Sequence, residues 1–161
     1  MILENAAPSD FPAIASLNVS SYQEFAVYME PGAWERVSAN LSSPEKVAER
    51  AQFIVARMNG EIVGSVAYCP KGKSVDPIPA EWASVLLLAV SPEGRGMGLG
   101  KLLTEECVRR AREDGAKVIG LFTSERMLPA QRIYEKLGFV RESEIPPRNG
   151  MRYFRYRLNL E

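Results

Sequence analysis

A glycine-rich segment near the middle of the chain has the composition of a phosphate-binding turn. Four glycines fall within residues 94–100, between an apolar run and an amphipathic stretch. Glycine allows positive φ and a close approach of the backbone to a ligand. The first amides of a helix lack partners within the helix, and the helix dipole favours negative charge there. Arg95 and Lys101 could add charge-assisted contacts, so we expect a bound pyrophosphate. The alternative is a helix start without a ligand, which would leave the cost of ordering four glycines unexplained.

The spacing of the glycines argues against the two common nucleotide motifs. The Walker motif requires a glycine five residues before a final Gly-Lys pair, which Ser or Thr then follows. With Gly100-Lys101 as that pair, Arg95 and Leu102 occupy the two diagnostic positions. The dinucleotide fingerprint requires glycine at positions one, three and six, and neither register, from Gly94 or from Gly96, has it at the sixth. A nucleotide-binding protein is therefore the weaker interpretation.

Composition excludes further classes of protein. The 161 residues suit a single domain, 1–161, and 20 Lys and Arg balance 20 Asp and Glu. No net positive charge is present to bind nucleic acid, and no apolar run approaches the ~20 residues of a membrane span. The first residues do not form a secretory signal. Cys69 and Cys107 are expected to be buried free thiols in a reducing cytoplasm. Because the chain has no His, we expect no metal.

Hydrophobic periodicity places the glycine turn between a buried strand and an amphipathic helix. Residues 82–90 are mostly apolar, as in a strand buried on both faces. Apolar residues recur at helical spacing over 98–114, and 117–123 is again strand-like. This is a βαβ unit, so its two strands should be parallel.

The flanking segments complete a mixed α/β layered domain. Helices are expected in the first third. Ser9-Asp10 can cap the first, Pro31-Gly32 breaks the chain before a second at 33–41, and Ser43-Pro44-Glu45 starts another. Asn59-Gly60 predicts a tight hairpin turn. The remaining predictions are strands at 52–58, 61–68, 139–142 and 151–160, a helix at 129–137, and loops at 71–80 and 145–150.

Two motifs together resemble the GNAT superfamily of N-acetyltransferases. One is Arg95-x-x-Gly98-x-Gly100 after residues 88–92, and the other is the segment 130–139, AQRIYEKLGF. The resemblance covers essentially the whole chain and is most specific from 81 to 140. It implies a central, mostly antiparallel sheet with a splayed parallel strand pair and helices on both faces. It also implies acetyl transfer from acetyl-CoA to a primary amine of a small molecule, peptide or protein.

The same resemblance implies where the cofactor binds. The backbone of the strand that ends at Val90 would pair with the pantetheine arm, and the glycine turn would wrap the pyrophosphate. Tyr134 would act as the general acid for the departing thiolate. The implied cofactor contacts are Leu88, Ala89, Val90, Arg95, Gly96, Met97, Gly98, Leu99, Gly100, Lys101, Thr123, Gln131 and Tyr134.

The base that deprotonates the amine is not evident from the sequence. An alkylammonium has a pKa of about 10, so a base or a water chain must remove its proton. Ser84 and Phe122 occupy the two positions where family members carry a glutamate, and Met127 replaces a pantetheine-binding asparagine. Glu81 is a candidate base, with Glu24 as a second and water as an alternative to both.

The acceptor site is expected to include the first helices, the loop before the central strand and the last hairpin. Tyr22, Glu24 and Tyr28 are the candidate substrate contacts, although aromatic residues there could instead pack the helices on the sheet. Arginines of the last hairpin could attract an acidic acceptor or could form a solvated sheet face. They are Arg148, Arg152, Arg155 and Arg157. A non-catalytic acyl-CoA sensor of the same fold is the alternative to an enzyme, and a homodimer is possible.

Overall fold

The computed structural model describes residues 1–160, which form a single seven-stranded sheet with helices on both faces. The strands are β1 (Ile2–Asn5), β2 (Gln52–Met58), β3 (Glu61–Cys69), β4 (Ala83–Val90), β5 (Val118–Ser124), β6 (Val140–Arg148) and β7 (Met151–Asn159). The helices are α1 (Phe11–Tyr22), α2 (Ala33–Leu41), α3 (Pro44–Val47), α4 (Leu99–Glu113) and α5 (Leu128–Lys136). Short 3-10 helices occupy Pro8–Asp10, Gln23–Tyr28 and Pro92–Gly94.

The strand order is β1-β2-β3-β4-β5-β7-β6. Neighbouring strands are antiparallel throughout, except for the parallel pair β4 and β5. This arrangement confirms the predicted fold class, including the parallel strands of the βαβ unit.

Two hydrophobic layers hold the helices against the sheet. On one face, Ile14 of α1 packs with Phe53, Val55 and Ala67 of β2 and β3. On the other face, α4 and α5 cover the larger core. The apolar stripe of α4 is fully buried and consists of Leu99, Leu103, Cys107 and Ala111. Strands β2–β4 lie between these two layers and are therefore mostly buried on both sides, which the apolar sequence predicted for β4.

Two predictions at the N-terminus were wrong or incomplete. Residues 2–5 form an edge strand that pairs with β2, which the short apolar opening of the sequence did not reveal. The Asp10 carboxylate makes no bond to the first turn of α1. It accepts hydrogen bonds from the amide of Ala7 at 2.8 Å and from Arg57 at 2.8 Å, and these hold the pKa of Asp10 below its usual value.

The predicted loop at 145–150 was also wrong. Strand β6 continues to Arg148, with an irregular register between Ile145 and Arg148, and only Asn149 and Gly150 form the turn. Prolines are tolerated here because β6 is an edge strand, so a missing N–H on its free side breaks no ladder bond.

Candidate active site

Strands β4 and β5 pair over only two residues and then separate. Ala83 pairs with Ile119 and Ser84 with Gly120, both near the starts of the strands. Beyond these pairs β4 stays with β3, and β5 stays with β7 as far as Ser124. The sheet therefore opens toward the carboxyl ends of β4 and β5, which confirms the splayed pair.

A β-bulge shapes the edge of β4 at this opening. Leu87 and Leu88 both lie opposite Val66, and Leu87 has a φ of 55°. The amide of Ser91 donates to the carbonyl of Val63 at 2.9 Å, so Ser91 belongs to the positions that bond to β3. Ladder bonds alternate along a strand, so the backbone groups of Leu88 and Val90 point into the opening.

The hydroxyl of Tyr22, the last residue of α1, fills part of this edge. It donates a hydrogen bond to the Leu88 carbonyl at 3.0 Å. Burial, and secondarily the nearby phenol of Tyr153, raises the pKa of Tyr22. Tyr22 was predicted as an acceptor contact. The structure places it in the opening itself, where it already occupies the Leu88 carbonyl.

The glycine turn lies at the same end of the sheet, between β4 and α4. Gly96 and Gly98 have φ values of 77° and 73°, which other residues rarely adopt. The first α-helical bond runs from the amide of Leu102 to the carbonyl of Gly98. The amides of residues 99–101 therefore precede the helical ladder and stay available to an anion. Arg95 and Lys101 are exposed beside them.

Tyr134 of α5 is buried between two aromatic rings. Its ring centroid lies 5.9 Å from that of Phe139 and 6.3 Å from that of Tyr156. Burial is the main cause that raises the pKa of Tyr134, with smaller contributions from Tyr22, Cys107 and Tyr156. The phenol therefore keeps its proton at neutral pH and can act as a hydrogen-bond donor.

Both cysteines are buried and free as predicted, and burial raises the pKa of Cys107 to about 12.

Two other predicted cofactor contacts, Thr123 of β5 and Gln131 of α5, lie near the end of β5, but protein groups engage their polar atoms. The Thr123 hydroxyl donates to the Met127 sulfur at 3.2 Å. The Gln131 amide donates to the carbonyl of Ser124 at 2.8 Å, and its oxygen accepts a bond from Arg141 at 3.3 Å. Both residues therefore fix the junction between β5 and α5.

The structure does not bring Glu81 to the opening. Glu81 is exposed just before β4, at the paired end of the strands, and seven residues of extended chain separate it from Leu88 by roughly 20 Å. Ser84 lies at the same paired end, where its hydroxyl is 2.9 Å from that of Ser74. Glu24 and Tyr28 are exposed on the 3-10 helix after α1, and the guanidinium of Arg126 covers the Tyr28 ring at 4.2 Å.

Neither a metal site nor a membrane span is found in the part of the chain that the structure describes. Within residues 1–160, no group of three or more His, Cys, Asp or Glu side chains is placed to hold a metal ion. The helices of that same range are too short or too polar to cross a bilayer.

A split sheet beside a glycine-rich helix start is the arrangement that the resemblance to acyl-CoA-dependent transferases implies, and comparison with known proteins agrees. Residues 12–139 match the sequence model of the acetyltransferase (GNAT) family, and the chain belongs to that family. The mycothiol acetyltransferase of Thermomonospora curvata is 31% identical over 117 residues, which are 73% of this chain and 37% of that protein. Its counterpart in Thermobispora bispora is 31% identical over 120 residues, 73% and 39% of the two chains. The chain thus spans less than two fifths of the length of these relatives.

Solved structures share the fold over nearly the whole chain. A GNAT-family acetyltransferase from Desulfovibrio desulfuricans superposes with a TM-score of 0.73 at 22% identity and covers 99% of both chains. An acetyltransferase from Salmonella typhimurium, solved with its cofactor acetyl-CoA, has a TM-score of 0.71 at 20% identity and covers 100% of this chain and 94% of its own. The family uses acetyl-CoA, and the residues at the opening fit it. Amides and cations of the glycine turn suit a pyrophosphate, and the free edge of β4 suits an arm that carries amides.

Proposed function

We propose that this protein transfers an acetyl group from acetyl-CoA to a primary amine of a small molecule, peptide or protein, by direct attack of the amine. The observation that carries the proposal is the opening between β4 and β5, which has the glycine turn at its end and Tyr134 at its side. Bound acetyl-CoA supplies the reactive thioester, and the residues around the opening bind and orient it.

Binding uses the backbone more than side chains. The amide of Leu88 and both backbone groups of Val90 point into the opening and bind the amide-bearing arm as an added strand would. The Leu88 carbonyl is held by Tyr22, so it takes no part in that pairing. The turn 95–101, with Arg95 and Lys101, binds the pyrophosphate. Thr123 and Gln131 act by holding β5 and α5 in place.

Tyr134 acts as the general acid. A phenol is neutral and a hydrogen-bond donor at neutral pH, so its O–H is available to the sulfur as the thioester C–S bond breaks. Glu81 does not act as the base, because it lies at the far end of β4. Water accepts the amine proton in this proposal. Exposed Glu24, two residues after Tyr22, is the other candidate base.

A screen of acceptors for release of free CoA tests the proposal. Amines and thiols both belong in it, because the curated relatives named above are mycothiol acetyltransferases. A thiol acceptor would react with a thiol-detecting dye, so mass spectrometry should identify every acetylated product. CoA release that depends on an amine, together with an N-acetyl product, supports the proposal. Heat stabilisation by ATP and not by acetyl-CoA would overturn it.

The Tyr134→Phe variant tests the assigned role. Loss of a general acid typically lowers turnover by about 10²–10⁴-fold. Stabilisation of the variant against heat by acetyl-CoA should match that of the parent, because the ring and its aromatic packing remain. Tyr68→Phe is the control, because Tyr68 lies opposite Val85 near the paired end of β4 and its hydroxyl bonds to Asp114, away from the opening. Unchanged turnover in Tyr134→Phe would remove Tyr134 from the mechanism.

The alternative is a sensor of the same fold that binds acyl-CoA without turnover. The observation that favours it is the placement of Ser84 and Phe122 where family members carry a glutamate. Tight binding of acetyl-CoA with no CoA release over the entire acceptor screen would select the sensor.

A further inference from the structure

Two arginines place their guanidinium groups over aromatic rings. The guanidinium of Arg126, which follows β5, is 4.2 Å from the ring centroid of Tyr28. The guanidinium of Arg148, at the end of β6, is 4.8 Å from the ring centroid of Phe122. A stacked guanidinium uses its face for the ring and keeps its N–H edges for a planar anion.

Both stacks border one apolar cluster. Met29, next to Tyr28, and Phe122 both pack against the buried residues Ile145, Met151 and Tyr153. The Phe122 and Tyr153 ring centroids are 6.1 Å apart. The amide of Glu30 donates to the carbonyl of Asn149 at 3.0 Å, which ties the segment after Tyr28 to the turn that follows Arg148. The two stacks are therefore linked through this cluster and through the backbone bond between Glu30 and Asn149.

The ring of Phe122 lies at the opening of the sheet. Strand β5 leaves β4 after Gly120, and Phe122 follows that last paired residue by two positions. Tyr22 bonds to Leu88 on the β4 side of the same opening. An acceptor held by the two arginines and their rings therefore has its other end toward the site of acetyl transfer.

Charge separates these two arginines from the others on the last hairpin. Arg152 pairs with Glu144 at 2.9 Å, and Arg155 and Arg157 both pair with Glu142. Arg126 forms no ion pair with any residue from 1 to 160. The nearest carboxylate to Arg148 is that of fully exposed Asp76 at 4.0 Å, which is too long for a strong pair.

We infer that the acceptor is an amine that also bears a carboxylate, as an amino acid or a peptide with a free C-terminus does. The inference rests on the proposed function. Arg126 and Arg148 bind the carboxylate through their free N–H edges, and the rings of Tyr28 and Phe122 contact the apolar part of the acceptor. The amine then lies toward Tyr22 and the edge of β4.

Matched acceptors that differ only in the carboxylate test this inference. Phenylalanine, phenylalanine amide and phenethylamine form one such set, and other amino acids with their amides extend it. The acid should have a KM at least about tenfold lower than its amide, since hydrogen bonds to charged groups are each worth about that factor or more. Arg126→Gln and Arg148→Gln should raise the KM for the acid by a similar factor and leave the KM for the amide and kcat nearly unchanged.

The controls separate recognition from general charge and from misfolding. Arg152→Gln removes an arginine of the same hairpin that is already paired, so its KM values should equal those of the parent. Heat stabilisation by acetyl-CoA should be retained in all three variants, which shows that each is folded. Equal KM values for acids and amides, or an equal effect of Arg152→Gln, would overturn the inference and leave the proposed function intact. If no amine is acetylated, the proposed function fails and the inference fails with it.

Discussion

The contact between Gly100 and Ile133 joins the phosphate-binding end of α4 to α5, and it can be tested with a double-mutant cycle. A Cβ atom on Gly100 would lie 2.7 Å from the Cδ1 atom of Ile133, and its next neighbour, the Cδ2 atom of Leu88, would be an ordinary 3.7 Å away. The obstacle is therefore a single methyl group. Ile133→Val removes that methyl group.

The expected change in the free energy of unfolding follows from opposing contributions. Overpacking typically costs about 1–3 kcal/mol. Alanine in place of glycine gains about 1 kcal/mol in a helix interior and less at Gly100, the second residue of α4. Ile133→Val alone should cost about 0.5–1.5 kcal/mol. In the double variant the new Cβ occupies the volume of the lost methyl group, so the clash disappears. The double variant should therefore be about 2 kcal/mol more stable than the sum of the single changes, or roughly 4–8 °C in Tm for a chain of this size.

Thermal unfolding of the four proteins, measured with and without acetyl-CoA, provides the cycle. A parallel cycle with Gly94→Ala and Leu99→Val is the control. A Cβ on Gly94 would lie 2.7 Å from Leu99 Cδ1 but also 2.9 Å from the carbonyl oxygen of Val63, and Leu99→Val cannot move that backbone atom. The control pair should show no rescue. Additive changes at Gly100 and Ile133, within about 0.5 kcal/mol, would refute the packing argument.

Two further predictions concern buried and paired groups. Tyr22→Phe leaves the Leu88 carbonyl without its donor, so the free energy of unfolding should fall by about 1–2 kcal/mol, whereas exposed Tyr28→Phe should change it little in chemical denaturation. The hydrogen bond from Arg109, assisted by Arg110, lowers the pKa of Glu106 to about 2, so its stabilising contribution is complete above pH ~4.5 and is lost as pH falls toward 2. Between pH 4.5 and 2, the free energy of unfolding of Glu106→Gln should therefore fall by about 1 kcal/mol less than that of the parent. The difference is small because Arg109 is half exposed. An equal fall in both proteins would contradict the prediction.

The sequence predicted the parts of the fold that local patterns encode. The amphipathic stripe of α4, the Asn59-Gly60 hairpin and the buried strand β4 all lie within one or two residues of their predicted bounds. The order of these elements, together with the two motifs, was sufficient for the family and for the split sheet. The site residues of the glycine turn followed from the same patterns, and their contacts with the cofactor stay predictions.

Long-range contacts explain what could not be predicted. Tyr22 and Leu88 are 66 residues apart, and nothing near either residue indicates that they meet. Arg126 and Arg148 gain their distinct character only because Glu142 and Glu144 neutralise the other arginines, which depends on the register of β6 against β7. Two adjacent prolines hid the length of β6, because their meaning depends on whether a strand is at an edge. Glu81 looked suitable by residue type, but the pairing of β4 with β5 begins at its end of the strand.

The short parallel pairing also affects how the domain holds together. Through residues 1–160, the ladder at Ala83 and Ser84 is the sole strand-to-strand connection between the four strands on one side and the three on the other. A donor molecule bound along the free edge of β4 would bridge this seam. Ligand at one hundred times its dissociation constant adds about 2.7 kcal/mol to the stability of a folded protein. Cohesion between the two blocks of the sheet is therefore expected to rise and fall with the supply of acetyl-CoA.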